Sequence, residues 1–255
     1  VLIILLAAIG CYIVTGQAAC YLMTAGLGRR AEAMLGPAQW LAEAGEGERP
    51  DLVRLLAPYF RRRFPGFELW VRDGARWTAS GGVGSVPPAP RGGPPAGLFL
   101  RENRLYLWAH AVAKGSEAVL AAPLTQDVLD ELGAGVGELI LEAPAAGEAR
   151  PSGVVLARGG AVPVSAGRLD FEVRWFSLIP VAGWGGQGDP PNVTLWVMSR
   201  PSAVLRSFFS GNVDMIEGVW ATLFLAVAAI FLVVEVIALV IGISLTRTIT
   251  RAVHS

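Results

Sequence analysis

The chain has 255 residues, 53% of them hydrophobic, and its 21 basic side chains are matched by 21 acidic ones. The basic residues are dispersed apart from Arg61-Arg62-Arg63, which sits beside Phe60 and Phe64 and reads as a solvated helix face, so no DNA or RNA partner is implied. The apolar excess gathers at the two ends, which points to membrane segments rather than to one large core.

Val1 to about Gly26 is nearly uncharged and exceeds the ~20 apolar residues that a spanning helix needs, so residues 1–27 are read as a first transmembrane helix. A secretory signal peptide is the alternative, but its apolar core is ordinarily ~7–15 residues. The start at Val1 rather than Met leads us to expect further residues before it. The pattern Ala31, Met34, Leu35, Ala38, Leu41 continues this helix outward, with Gly36-Pro37 as a kink or restart. A second helix is expected over Leu52 to Phe60, started by Pro50 and Asp51 and ended near Pro65-Gly66.

Strands follow. Phe67–Arg72 alternates and turns at Asp73-Gly74 into Ala75–Ala79; Leu98–Leu100 and Arg104–Val112 flank Glu102-Asn103 as a hairpin. Gly81 to Gly97 is a Gly/Pro-rich loop. Ala118–Ala122 is a short strand, Thr125–Leu132 a helix, and Val154–Leu156 with Val162–Val164 a hairpin around Arg158-Gly159-Gly160. Phe171–Leu178 and Val193–Met198 are strong strands separated by a loop from Trp184 to Pro191, and Pro201–Phe209 is a helix. Residues 28–215 therefore form an α+β domain with an antiparallel sheet and N-terminal helices. A second span is expected over 216–245, where Ala221 to Leu245 carries only Glu235.

Arg247 and Arg251 follow the second span closely and favour a cytoplasmic end there. Arg29 and Arg30 pull the other way, but large domains translocate with little regard to charge. The expectation is a two-pass protein of the inner (cell) membrane with its middle domain extracytoplasmic. Both cysteines, Cys11 and Cys20, fall in the first span, so the middle domain is cysteine-free.

A membrane-anchored helix feeding an antiparallel sheet, with Val119-Leu120-Ala121-Ala122-Pro123-Leu124 handing over to a helix at Thr125-Gln126-Asp127-Val128-Leu129, resembles the Cache or PDC-like extracytoplasmic sensor domains. The resemblance covers about Arg29 to Gly211 and rests on the order of elements. It implies binding of a small molecule such as an amino acid, carboxylate or amine.

The composition is poor in catalytic groups. Histidine occurs only at 110 and 254, and no phosphate loop or paired metal-ligand spacing is present, so neither an active site, a metal nor a cofactor is expected. Binding is better served. Strand alternation puts Tyr106, Trp108 and His110 on one side and Leu105, Leu107, Ala109 and Ala111 on the other; Trp70 and Arg72 oppose Leu69 and Val71, and Trp196 opposes Leu195 and Val197. If these strands are neighbours in register, one face is aliphatic and packs on helices. The other gathers Trp70, Arg72, Tyr106, Trp108, His110 and Trp196 as a small-ligand pocket beneath the loops, with Arg72 or His110 offered to an anionic group. The same rings also suit an ordinary core.

In the second span Glu235 must face protein rather than lipid, and Tyr12 of an antiparallel first helix is placed to donate a hydrogen bond to it. The ending Thr246-Arg247-Thr248-Ile249-Thr250-Arg251-Ala252-Val253 resembles the opening of a HAMP linker, with Arg247, Ile249, Arg251 and Val253 as relay residues and Ile249 and Val253 on one helical face. It departs from many HAMP linkers in having Ala252 where they have proline. The resemblance implies a homodimer and an output domain beyond Ser255. The stretch from Glu235 to Gly242 leading into Ser244–Thr250 looks most like receptors with a stage-II-sporulation or PP2C-type phosphatase output. A histidine kinase, a chemotaxis-type receptor and a two-span membrane subunit are the alternatives.

Overall fold

A single helix, α1 (Leu2–Glu32), carries both sheets of the fold. The structure, a computed structural model, describes residues 2–45, 47–73, 76–80, 94–143, 153–168, 170–183 and 192–210, with 234, 237, 238 and 240–242 of the second apolar segment. Arg29 and Arg30 lie in the last turn of α1, where cations complement the helix dipole. Ala19, Cys20, Leu22, Met23, Leu27 and Ala31 are buried, so the packed core reaches back into the segment 1–27. Among the described residues no helix is long and apolar enough to cross a membrane. Glu235, Arg247, Ile249, Arg251 and Val253 lie outside the described residues.

The chain breaks at Ala33-Met34 and restarts as α2 (Leu35–Glu43), with Gly36 and Pro37 in the first turn, where a missing N–H costs nothing. In α3 (Arg49–Arg63), Pro50 and Asp51 open the helix and Arg61, Arg62 and Arg63 close it, a charge order that suits its dipole. Arg49 is itself buried: its Nε donates to the Leu41 carbonyl at 3.0 Å and a terminal nitrogen to Ser116 Oγ at 2.7 Å, which ties α3 to the end of α2 and to the sheet.

The first sheet has the order β2-β1-β5-β4-β3-β9, from β1 (Glu68–Asp73), β2 (Arg76–Ser80), β3 (Ala96–Arg101), β4 (Arg104–Ala113), β5 (Ser116–Pro123) and the short parallel β9 (Ala182–Gly183). Two tight turns fix its register. Glu102 and Asn103 have φ of 50° and 59°, and Lys114 and Gly115 have 49° and 81°, the left-handed pair that matches strand twist in a two-residue hairpin. The aliphatic side, with Leu69, Leu105, Leu107, Ala109, Ala118, Leu120 and Ala122, packs on α1 and α2. Alanines there and Ala38 and Ala42 on α2 let helix and sheet approach closely. Full burial of Leu107 and Leu120 is worth roughly 1.5–3 kcal/mol each.

The second sheet has the order β7-β6-β10-β8, from β6 (Gly137–Ala143), β7 (Val154–Gly159), β8 (Val173–Ile179) and β10 (Val193–Ser199). Its inner side, Leu139, Leu141, Leu195 and Val197, joins the same core, and α4 (Gln126–Gly133) packs on β6 and β7. Where α1 crosses β8, Gly16 lies against Trp175, so closely that an added Cβ would stand 2.7 Å from the indole. Tyr12 meets the same ring edge-on at a centroid distance of 5.4 Å, and its hydroxyl donates to the Arg174 carbonyl at 2.8 Å. Tyr12 is thus committed to the domain, not to Glu235 as the sequence suggested.

The strands also depart from the sequence reading. The strand β6, central in its sheet, was not anticipated. Ala96 and Gly97, assigned to the loop, are in β3, where they pair with Ala109 and Trp108. Val162–Val164 is no strand: at Gly160 (φ +77°) the chain turns toward α4, its N–H donating to Asp130 Oδ1 at 2.6 Å, and Val164 is 93% exposed. This segment is held by hydrogen bonds instead. Arg200 donates to the carbonyls of Pro163 and Asp170, while the Asp170 carboxylate accepts from the Ala166 N–H and from the N–H and hydroxyl of Ser202 at the start of α5 (Pro201–Ser210). Partial burial pushes the Asp170 carboxyl up, but these hydrogen bonds and the Arg200 charge outweigh it and hold the group below the usual carboxylate range.

Two outcomes follow. Gly16→Leu forces Trp175 off β8, and urea unfolding is expected to show a loss of about 1–3 kcal/mol. Asp170→Ala removes a cap from α5 at a cost of about 1 kcal/mol. Because the folded-state value is depressed, Asp170 stabilises the fold above its unfolded pKa of ~3.9 and loses that effect as pH falls through the folded value. Unfolding curves of the two proteins should therefore differ at neutral pH and converge in acid.

Candidate ligand site on the aromatic sheet face

Strand pairing brings most of the expected residues together. Trp70 is in register with Val119, and Val119 with His110; Glu68 aligns with Ala121 and Trp108, and Tyr106 with Phe99. Directly paired residues point to the same side of a sheet, so Trp70, Arg72, Tyr106, Trp108 and His110 share the face opposite the helices. There Trp70, Phe99, Tyr106, Trp108, Val119 and Ala121 form a buried cluster of their own, with Trp77 and Ala182 packed against it. Phe99 and Tyr106 stack at 4.9 Å with their planes 9° apart.

Trp196 does not join them. It lies on β10 in the second sheet, between Ile140 and Phe176, where its Nε1 donates to Glu142 at 2.8 Å and Arg174 stands 4.5 Å over its ring. The alternation of β10 was legible, but which sheet the strand enters depends on long-range pairing with β6 and β8. The Gly/Pro-rich loops expected to cover the site fall largely outside the described residues.

Two polar groups border the ring cluster. At one end the carboxylate of Glu117, only 2% exposed, faces both Arg72 and His110, with His110 Nε2 at 2.7 Å. Arg72 also stands 5.5 Å over the Trp77 ring. At the other end Arg101 donates two hydrogen bonds to Glu68, at 2.8 and 3.0 Å, and a third to Tyr106 Oη at 3.0 Å, while lying 4.6 Å over the same ring. The hydrogen bond to Glu68 raises the Arg101 guanidinium further above its ordinary value, against its partial burial. Arg72 and His110, expected to be offered to an anion, are thus both turned to Glu117. Glu68, Arg101, Phe99 and Glu117 were missed. Their signal was available in strand parity: Glu117 and Glu68 fall on the aromatic side of strands whose other side is aliphatic.

Trp108 Nε1 is buried and has no hydrogen-bond partner among the described residues. Within those residues there is also no group of three or more His, Cys, Asp or Glu side chains able to hold a metal.

No family model matches the chain, and no curated protein matches it in sequence. Three solved chains match it, among them two at low overall similarity. The ligand-binding domain of the Pseudomonas aeruginosa PAO1 amino acid chemoreceptor PctB, in complex with L-Arg, is 15% identical with a TM-score of 0.35, over 82% of this chain and 96% of that one. The corresponding domain of PctC from the same organism, in complex with GABA, is 15% identical with a TM-score of 0.36, over 72% and 96%. The site is accordingly defined by this chain's own side chains.

Glu117→Gln removes the charge that Arg72 and His110 share while keeping the shape of the side chain. We expect a loss of about 1–3 kcal/mol in urea unfolding, since a buried partner is left unmatched.

Proposed function

We propose that the chain is the signal-sensing input region of a bacterial transmembrane receptor, which binds a small molecule outside the cytoplasm on the aromatic face of the six-stranded sheet. The observation that carries this reading is the division of labour within that sheet. The aliphatic side supplies the packing that the fold requires. The opposite side concentrates four buried aromatic side chains, one of them with an unmet indole donor, and two arginine–carboxylate pairs, a composition suited to orienting a ligand.

In this reading α1 leads from the membrane into the domain, α5 leads back toward a second span over 216–245, and the protein is a homodimer. Binding shifts the second span and biases a HAMP helix beginning near Thr246 between two packings. Glu235, Arg247, Ile249, Arg251 and Val253 belong to that relay. The output that the resemblance of this stretch favours is a PP2C-type serine/threonine phosphatase, ahead of a histidine kinase.

The binding half is tested by a thermal-shift screen of the purified chain in detergent against small polar metabolites. Ligands that raise the midpoint should lose their effect in Trp70→Ala, Tyr106→Ala and Trp108→Ala and keep it in Trp196→Ala. Folded variants of the first three that respond like the parent protein sink the assignment of this face. The relay half predicts that the coding sequence past Ser255 completes a HAMP helix and enters an output domain, and a stop codon there overturns it.

A further inference from the structure

We infer that the aromatic face selects an uncharged, planar ligand carrying a hydrogen-bond acceptor, and that Trp108 is the residue that reads the acceptor. The inference rests on the small-molecule reading of this face. Three observations lead to it.

The first is the state of the charges. Arg101 is held in a two-point pair by Glu68, and the buried Glu117 is shared by Arg72 and His110. An anionic ligand would have to share an arginine with its carboxylate, and so stand beside a like charge, and a cationic ligand would have to share a carboxylate with its arginine. The repulsion is least screened beside Glu117, which is 2% exposed, although its partner Arg72 is 42% exposed. Arg104, on the same strand side and opposite Arg101, is exposed at the hairpin end, where solvent screens its charge.

The second is a neutral donor left unmet among the described residues; the buried Nε of Arg72 also has no hydrogen-bond partner there, but it belongs to a guanidinium already paired with Glu117. An indole N–H gives a hydrogen bond and accepts none, and a buried donor left unmet is unfavourable. Trp108 is 3% exposed and its Nε1 has no partner among the described residues. The third is the neighbouring strand. Gly97 pairs with Trp108, and a Cβ there would stand 3.5 Å from Nε1. The absence of that Cβ leaves the flank of the donor clear of a side chain, while Trp70 and Tyr106 supply flat apolar surface nearby. An acceptor on a planar, neutral body satisfies the donor without disturbing either ion pair.

Benzamide, benzoate and benzamidine share one ring and nearly one shape but are neutral, anionic and cationic. Isothermal titration of the purified chain in detergent with each should show benzamide binding about tenfold more tightly than the other two. Trp108→Phe should weaken benzamide about five- to tenfold, the worth of one hydrogen bond. Gly97→Ala, whose methyl makes an ordinary contact and leaves the fold intact, should weaken it in the same sense. Benzoate or benzamidine binding as tightly as benzamide overturns the charge selection while leaving a small-molecule site in place. Benzamide binding that neither variant weakens overturns the role of Trp108. No binding by any of the three, with variants of this face also silent in the thermal-shift screen, overturns the inference and the small-molecule reading together.

Discussion

The fold depends on one helix lying across two sheets. Neither sheet closes on itself, and each has an aliphatic side that must leave water; α1 covers part of both, and α2 completes the cover over the six-stranded sheet. The contact is close because residues are small where backbone meets ring or strand: Gly16 under Trp175, and Ala19 and Ala31 further along. A bulky residue at such a point would lever the helix from one sheet and thereby loosen its hold on the other. The connection from β8 to β9 adds a second link, since the chain passes directly from one sheet to the other within a few residues.

With the aliphatic sides committed to the helices, the opposite sides are free to differ in chemistry. On the six-stranded sheet that side is a buried aromatic layer whose ionic groups are paired at its two ends. On the four-stranded sheet it is more open, with Trp196 fixed by Glu142 and Arg174 while Phe176 and Leu178 remain exposed. The two surfaces share a vocabulary of tryptophan, arginine and glutamate. They differ in burial, and burial is what turns a charge pair from a screened surface contact into a constraint on what binds beside it.

Much of this architecture was legible along the chain. Helices α2 to α5 and the hairpins at β1–β2 and β3–β4 announced themselves by periodicity, by Pro50 and Asp51, and by Glu102-Asn103. The aromatic side of β1 and β4 followed from parity alone. Local pattern could not say that Trp196 belongs to another sheet, because every strand with a clean alternation looks alike until its partners are known. It could not reveal Glu117 as a shared counter-ion, since that role arises only when β5 lies between β1 and β4. The strand β6 escaped because Glu138 and Glu142 interrupt its apolar run, although both point away from the core. Val162–Val164 misled for the opposite reason: its valines favour a strand, but Gly160 turns the chain away before it can pair.

The hydrogen bond from Tyr12 to the Arg174 carbonyl has a consequence for how copies of this protein meet. Strand β8 is the last in its sheet, and its outer residues Phe176 and Leu178 are half exposed, the description of a surface on which a foreign strand can grow. The tyrosine hydroxyl fills one of the acceptors that such a strand would need, and Pro180 just past the end of β8 has no N–H to extend the ladder. The helix that holds the two sheets together thus also guards an open border, keeping crowded neighbouring molecules from stitching themselves edge to edge.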